Sequence, residues 1–139
     1  MSKYEALLLD IEAILETVDE VNKVSHGKVP PLTSEETFTA VYITPMNDEF
    51  HLVKPGNTAS AYDNISYIRI LAHIDCSSDD LLWVATRRKL IDAILEDSPI
   101  WRNAYDRDIL AIEHDDFDMH PLKAFEILFE FKLREPCIA

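Results

Sequence analysis

The stretch Lys123-Ala-Phe-Glu-Ile-Leu-Phe-Glu-Phe-Lys-Leu-Arg134 decides the fold of this chain. Apolar side chains occupy every second position from Phe125 to Leu133, and Glu126 and Glu130 lie between them. A strict period of two predicts a β-strand with one buried face and one outward face. Such a strand needs neighbouring strands to complete its hydrogen bonds and a second layer to cover its apolar face. The sequence therefore predicts a sheet packed against helices.

Two amphipathic helices are available as that covering layer. Apolar residues recur at three- and four-residue steps over 3–18 and again over 81–97, which predicts a helix in each range. N-caps for the second helix are offered by Ser77, Ser78 and Asp79. The exposed face of that helix carries a basic cluster, which we interpret as solvated surface: Arg87, Arg88 and Lys89.

Three more strands are predicted over 38–45, 65–74 and 107–114, with a short extended piece at Val21 and Val24. In the 107–114 strand, Ile109 and Ala111 alternate with Leu110 and Ile112. The polar segment 46–61 contains a turn signal over 54–57 whose flanks are suited to a small hairpin, and we expect a long, mobile loop there. We expect one α+β domain over 1–139, built as a single mixed or antiparallel sheet of about four to five strands with two helices on one face.

Composition restricts the class of function. The chain has 139 residues with 26 acidic and 13 basic side chains, a formal charge of −13 that disfavours a free-standing nucleic-acid binder. No apolar run is long enough to cross a bilayer and the N-terminus lacks a signal-peptide core, so we expect a protein that begins in the cytosol. The two cysteines, Cys76 and Cys137, are too few for a disulfide framework and are interpreted as packing residues.

No catalytic or cofactor motif stands out. The two glycines exclude a phosphate-binding glycine loop, and no serine is flanked by glycines as a nucleophile elbow requires. One cluster of imidazoles and carboxylates would suit a divalent cation: His114, Asp115, Asp116, Asp118 and His120. The cluster lacks the glycine and the terminal glutamate of a calcium loop, so a polar connection between strands is the favoured reading. We therefore expect neither cofactor nor metal; a small cytosolic metal-dependent enzyme is the alternative of a different class.

The order of segments resembles that of a known family. An N-terminal helix with the core Leu8-Leu-Asp-Ile-Glu-Ala-Ile-Leu15 precedes a proline-ended strand, Ala40-Val-Tyr-Ile-Thr-Pro45. The helix Leu90-Ile-Asp-Ala-Ile-Leu-Glu-Asp97 and Trp101 come later, before the alternating terminal strand. In this order of elements the chain resembles the tail terminator, or tail-to-head joining, proteins of long-tailed bacteriophages. The resemblance spans nearly the whole chain and rests on pattern, without an invariant motif.

The resemblance implies a non-enzymatic virion protein, made in the host cytoplasm and built into the head-proximal end of the tail. Its implied partners are further copies of itself in a hexameric ring, the tail tube protein whose polymerisation it stops, and a head-completion or connector protein. DNA would pass through the ring without specific binding, and acidic walls suit such a passage because they do not hold phosphates. Another neck component, such as a head-closure protein, is the alternative within the same class.

Three sets of residues are candidates for these contacts. The outward faces of two strands predict a subunit interface formed by Tyr67, Arg69, Leu71, His73, Glu126 and Glu130. The polar segment predicts a tube-docking surface with Met46, Asp48, Glu49 and Lys54. The acidic link predicts a lumen lining with Asp115, Asp116 and Asp118.

Overall fold

A computed structural model describes residues 2–33, 35, 37–54, 60–114 and 121–137 of the chain. In these residues the elements follow the order α1 (Lys3–Glu16), β1 (Lys23–His26), β2 (Ala40–Val53), β3 (Ala61–Asp75), α2 (Leu82–Glu96), α3 (Ser98–Asn103), β4 (Ala104–His114) and β5 (Leu122–Pro136). The strands form one five-stranded sheet in the order β1-β2-β3-β5-β4. Strand β1 pairs with β2 in parallel, and the other pairs are antiparallel. The predicted α+β architecture with a single mixed sheet is confirmed.

The hydrophobic core lies between one face of the sheet and the helices. Alternate residues of β3 and β5 point into it, including Ile68, Ile70, Phe129 and Phe131, all fully buried. The helices contribute a smaller set of buried side chains: Leu7, Ile11, Leu15, Leu90, Ile94 and Ile100. Because all three described helices join this one core, they cover the same face of the sheet.

Local signals explain where the helices begin. Ser2 caps α1 by accepting a hydrogen bond from the Glu5 backbone N–H at 3.1 Å. The predicted caps of α2 are wrong in detail, because the N-cap is Leu81 without a side-chain hydrogen bond. Asp79 instead closes the preceding turn by accepting from the Leu81 N–H at 2.9 Å.

For the described residues 46–54, 60 and 61, the prediction of a long, mobile loop is wrong, and the hairpin that the turn signal suggested is present instead. Strand β2 continues to Val53, and β3 begins at Ala61, directly opposite it. The two strands form a long antiparallel hairpin with a register shift between Pro45 and Asn47. Eight consecutive residues of β2, 45–52, are exposed. An exposed strand lacks the apolar alternation that marks a half-buried one, which is why the sequence pattern did not reveal it.

Strand β1 leaves most of β2 without a neighbour on that side. It pairs with Ala40 to Ile43 only, and the chain then turns away at Gly27, whose φ of +94° lies in the region that favours glycine. The Gly27 N–H donates the last hydrogen bond of this pairing, to the Ile43 carbonyl at 3.1 Å. Within the described residues, the hairpin portion of β2 therefore has a free edge.

The predicted alternation in β4 is also wrong. A register shift between Ile109 and Ala111 places Ile109 opposite Phe129 but Ala111 opposite Leu128. Since Phe129 faces the helices and Leu128 the other side, Ile109 and Ala111 lie on different faces of the sheet. The irregularity brings Glu113 to the face opposite the helices, beside Glu126.

Candidate subunit interface

The structure places all of the predicted subunit-interface residues on the sheet face opposite the core. On β3, Tyr67, Arg69, Leu71 and His73 alternate with the buried isoleucines and Ala72. On β5, Glu126 lies directly opposite Leu71, and Glu130 lies directly opposite Tyr67. None of the described helices packs on this face, which we call the open face. Its use as a subunit interface stays a prediction.

One end of the open face is closed within the protomer. His73 is only 4% exposed. Its ring packs against the Tyr42 ring in an edge-on arrangement, with 5.3 Å between the ring centroids. Tyr42 itself is 1% exposed and lies under the Lys23 ammonium, 5.7 Å from the ring centroid. His73 therefore offers little surface to a neighbour, whereas Tyr67, Arg69 and Leu71 are half-buried.

Charged side chains at the centre of the open face interact in pairs. Arg69 Nη1 donates to Glu126 Oε2 at 3.4 Å. Burial raises the pKa of Glu126, the attraction of Arg69 opposes this increase, and the neighbouring Glu113 carboxyl adds to it. Two carboxyls in one site favour a shared proton because like charges repel. A proton or a cationic partner group would therefore be favourable beside Glu126.

The predicted tube-docking residues lie on or just beyond the exposed part of β2. Met46, Asp48 and Glu49 are strand residues with exposed side chains, and Lys54 follows the end of the strand. Their docking role stays a prediction. The sequence pattern did not indicate the apolar residue Phe50 beside them, which is exposed and whose ring is tilted against the Tyr62 ring at 5.8 Å between centroids.

The predicted lumen residues Asp115, Asp116 and Asp118 lie outside the described residues, as does His120. Of the proposed metal cluster only His114 is described, and its ring packs against Trp83 with 5.5 Å between centroids. No group of three or more His, Cys, Asp or Glu in the described ranges could hold a metal ion, and the other members of that cluster lie outside those ranges. Among the described helices, none is both long enough and apolar enough to cross a membrane.

Arg107 is a buried charge that no pattern in the sequence indicates. Its guanidinium donates to the carbonyls of Ile94 and Asp97, the latter at 2.7 Å, and lies 3.8 Å from the centroid of the Trp101 ring. Burial lowers the pKa of Arg107 to about 10, with Asp97 opposing the shift, so the group stays charged at neutral pH. Because it satisfies carbonyls at the end of α2, Arg107 holds the α2–α3 corner against β4.

A second buried contact ties the N-terminus to the hairpin. The Glu135 carboxylate accepts from the Lys3 backbone N–H at 2.6 Å and from the Tyr62 hydroxyl at 2.8 Å. Arg134 on the open face binds Asp63 through two hydrogen bonds, of 2.7 and 3.0 Å. These contacts hold together the start of α1, the turn end of the β2–β3 hairpin and the end of β5.

Comparison with known proteins gives a structural similarity only. No protein-family model and no curated protein matches the chain. It is similar to a chain in the virion of a native gene transfer agent (GTA) particle, with a TM-score of 0.44 and 12% sequence identity. The similar region covers 96% of this chain and 92% of that chain. A chain of a virion particle is thus among its structural neighbours, and neither a tail-terminator role nor a ring is shown by this similarity.

Proposed function

We propose that this protein is a structural virion protein that forms a ring at the head-proximal end of a phage tail tube. The ring stops tube polymerisation and provides the docking surface for the head. It binds further copies of itself, the tail tube protein and a head-completion protein, and it has no catalytic role. The proposal follows the resemblance in the order of sequence elements, and one structural observation carries it further.

That observation is the open face. An antiparallel sheet that packs one face on the core commonly presents mainly polar side chains to water on the other. Here the open face combines Leu71 and Leu128 with the Arg69–Glu126 pair, and these side chains are half-buried although no described helix covers them. Mixed apolar and paired polar groups at one surface are typical of protein interfaces. Such a face is suited to contact with a neighbouring subunit.

Net charge supports the passage of DNA. With a formal charge of −13, a ring of several copies would carry a strongly negative field along its walls. Negative walls repel the phosphate backbone, so DNA would move through without being held. A basic ring would bind the same DNA tightly and oppose its exit.

The test is electron microscopy of particles assembled without this protein. We expect overlong or headless tails, and we expect added wild-type protein to restore uniform tails with heads. The variant Leu71→Arg, which places an unpaired charge on the open face, should not restore them. Glu96→Arg is the matched control, since it adds the same side chain at an exposed position of α2 and should restore tails like the wild type. Tails of normal length joined to heads in the absence of the protein would overturn the proposal.

A further inference from the structure

An apolar groove lies between the outer side of α2 and the edge strand β4. Its lining includes Leu81, Val84, Ile91 and Ile112, with Arg87 and Arg88 at the rim. Leu81 is 67% exposed, Val84 38% and Ile112 41%, so three large apolar side chains meet water. Strand β4 is at the edge of the sheet and has no described neighbour on its outer side. Exposed apolar residues beside a free strand edge are typical of a docking site.

The exposed segment of β2, residues 46–52, has the complementary properties. Met46, Phe50 and Leu52 are 52%, 61% and 58% exposed, which is unusual for three large apolar side chains within seven residues. Asp48 and Glu49 lie between them and are exposed as well. The segment is therefore both apolar and acidic, and its outer backbone edge has no neighbour among the described residues.

Charge favours contact between the segment and the groove over contact of either with itself. The chain carries twice as many acidic as basic side chains, so two hairpins brought together would repel. The groove lining has two basic residues, Arg87 and Arg88, and one acidic residue, Asp79. The Arg88 side chain is 85% exposed and lies 3.7 Å from Asp92. Arg87 lies over the Trp83 ring at 5.1 Å from the centroid, with its guanidinium beside the groove. An acidic segment seated in the groove would meet both arginines.

The two surfaces lie too far apart to meet within one protomer. Strand β2 is next to β1 at one side of the sheet, and β4 is the last strand at the other side. The strand register also places the two surfaces towards opposite ends of the sheet. The segment leads to the end where Val53 pairs with Ala61. The groove lies towards the other end, where β4 finishes at His114 and β3 at Asp75. Diagonally opposite corners can meet only between different molecules.

We propose that residues 46–52 of one copy dock into the α2–β4 groove of the next copy of this chain, in place of the tube-docking role predicted from the sequence for Met46, Asp48 and Glu49. This inference rests on the proposed function and specifies its partner surface, a second copy. The contact is heterologous, since each copy uses the segment on one neighbour and the groove on the other. Repetition of a heterologous contact closes into a ring when the rotation between copies divides a full turn and otherwise gives an open filament.

Charge exchange tests the pairing. In sedimentation velocity over a concentration series, we expect Asp48→Lys with Glu49→Lys to weaken self-association by at least about tenfold, because the segment then repels the basic rim. Arg87→Glu with Arg88→Glu should weaken it equally. A chain that carries all four changes restores opposite charges and should regain association. The matched control, Arg102→Glu, changes an exposed basic residue of α3 that belongs to neither surface and should have no effect.

Disulfide trapping identifies the contact even when association is weak. In a Cys137→Ser background, the double variant Phe50→Cys with Val84→Cys should give a ladder of covalent multimers on oxidation. An equimolar mixture of the two single variants should stop at dimers, since each molecule then has one reactive surface. Crosslinking of Phe50→Cys alone to itself would indicate a symmetric contact and would overturn the inference, as would monomers that remain uncrosslinked at every concentration.

The two proposals fail in different ways. A crosslinked ladder that electron microscopy shows as open filaments supports the contact but overturns the ring. Rings that form without the Phe50–Val84 crosslink, and that tolerate the charge reversals, overturn the contact and leave the ring in place. Binding of the groove to tube protein alone, with no association between copies, overturns the contact.

Discussion

Replacement of Arg107 by alanine should destabilise the fold more than replacement of any other described arginine by alanine. The guanidinium donates to the Ile94 and Asp97 carbonyls and stacks on Trp101, and the residue is only 7% exposed. Hydrogen bonds to a charged group contribute about 1.5–3 kcal/mol each, and a cation–π contact adds about 1 kcal/mol. The buried Nε has no hydrogen-bond partner among the described residues, and its desolvation offsets part of that gain.

We therefore expect Arg107→Ala to lower the free energy of unfolding by about 3 kcal/mol, since it leaves carbonyls at the α2 terminus without donors. Urea denaturation followed by circular dichroism measures this change, and an unchanged dependence on urea concentration would show that the unfolded state is comparable. The matched control is Arg88→Ala. Its side chain is 85% exposed, and the loss of its pair with Asp92 should cost no more than about 0.5 kcal/mol. A loss below about 1 kcal/mol for Arg107→Ala would refute the assignment of this residue as the anchor of the α2–α3 corner.

Three further outcomes follow from burial and charge. Burial raises the pKa of Glu126 above its ordinary value of 4.5, so its charged form destabilises the fold at neutral pH, and this penalty is lost as the pH falls through the raised pKa. Glu126→Gln should therefore stabilise the protein at pH 7, with the gain disappearing below about pH 4.5 in thermal melts; a loss at pH 7 would contradict this. Phe129→Ala should lower the free energy of unfolding by about 3–5 kcal/mol, whereas Phe50→Ala, at an exposed position, should change it by less than about 0.5 kcal/mol while reducing self-association. In a thiol-reagent assay, Cys137 should react in the native protein and Cys76 only after denaturation, because burial raises the pKa of the Cys76 thiol and blocks access; equal native reactivity would show that Cys76 is exposed.

The parts of the fold that the sequence predicted are those in which burial imposes a period. Strand β5 alternates without error from Phe125 to Leu133 because one face enters the core and the other does not. The same reasoning placed Tyr67, Arg69 and Leu71 on the face opposite the core. The prediction succeeded there because successive side chains of a strand point to opposite faces of the sheet, so every second residue lies on the same face.

The parts that were missed have other physical causes. Strand β2 extends beyond Pro45 through exposed residues, and neither face of such a strand requires apolar side chains. The short helix α3 begins at signals that the sequence does contain, Asp97 as N-cap and Pro99 in the first turn, but six residues are too few to show a period. The extra residue in β4 near Leu110 moves every later side chain of the strand to the opposite face of the sheet. For this reason Glu113 was not expected beside Glu126. None of these features leaves a periodic trace in the sequence.

The free edge of β2 also bears on how the chain stays in solution. A long strand with unpaired backbone groups and three exposed apolar side chains is a template for uncontrolled stacking into aggregates. Asp48 and Glu49 interrupt the apolar residues, and acidic side chains at such a position act as gatekeepers because stacked copies would bring like charges together. Removing these two charges would leave a hairpin that aggregates more readily. Under the proposed docking, the same two residues would therefore both oppose aggregation and select the partner surface.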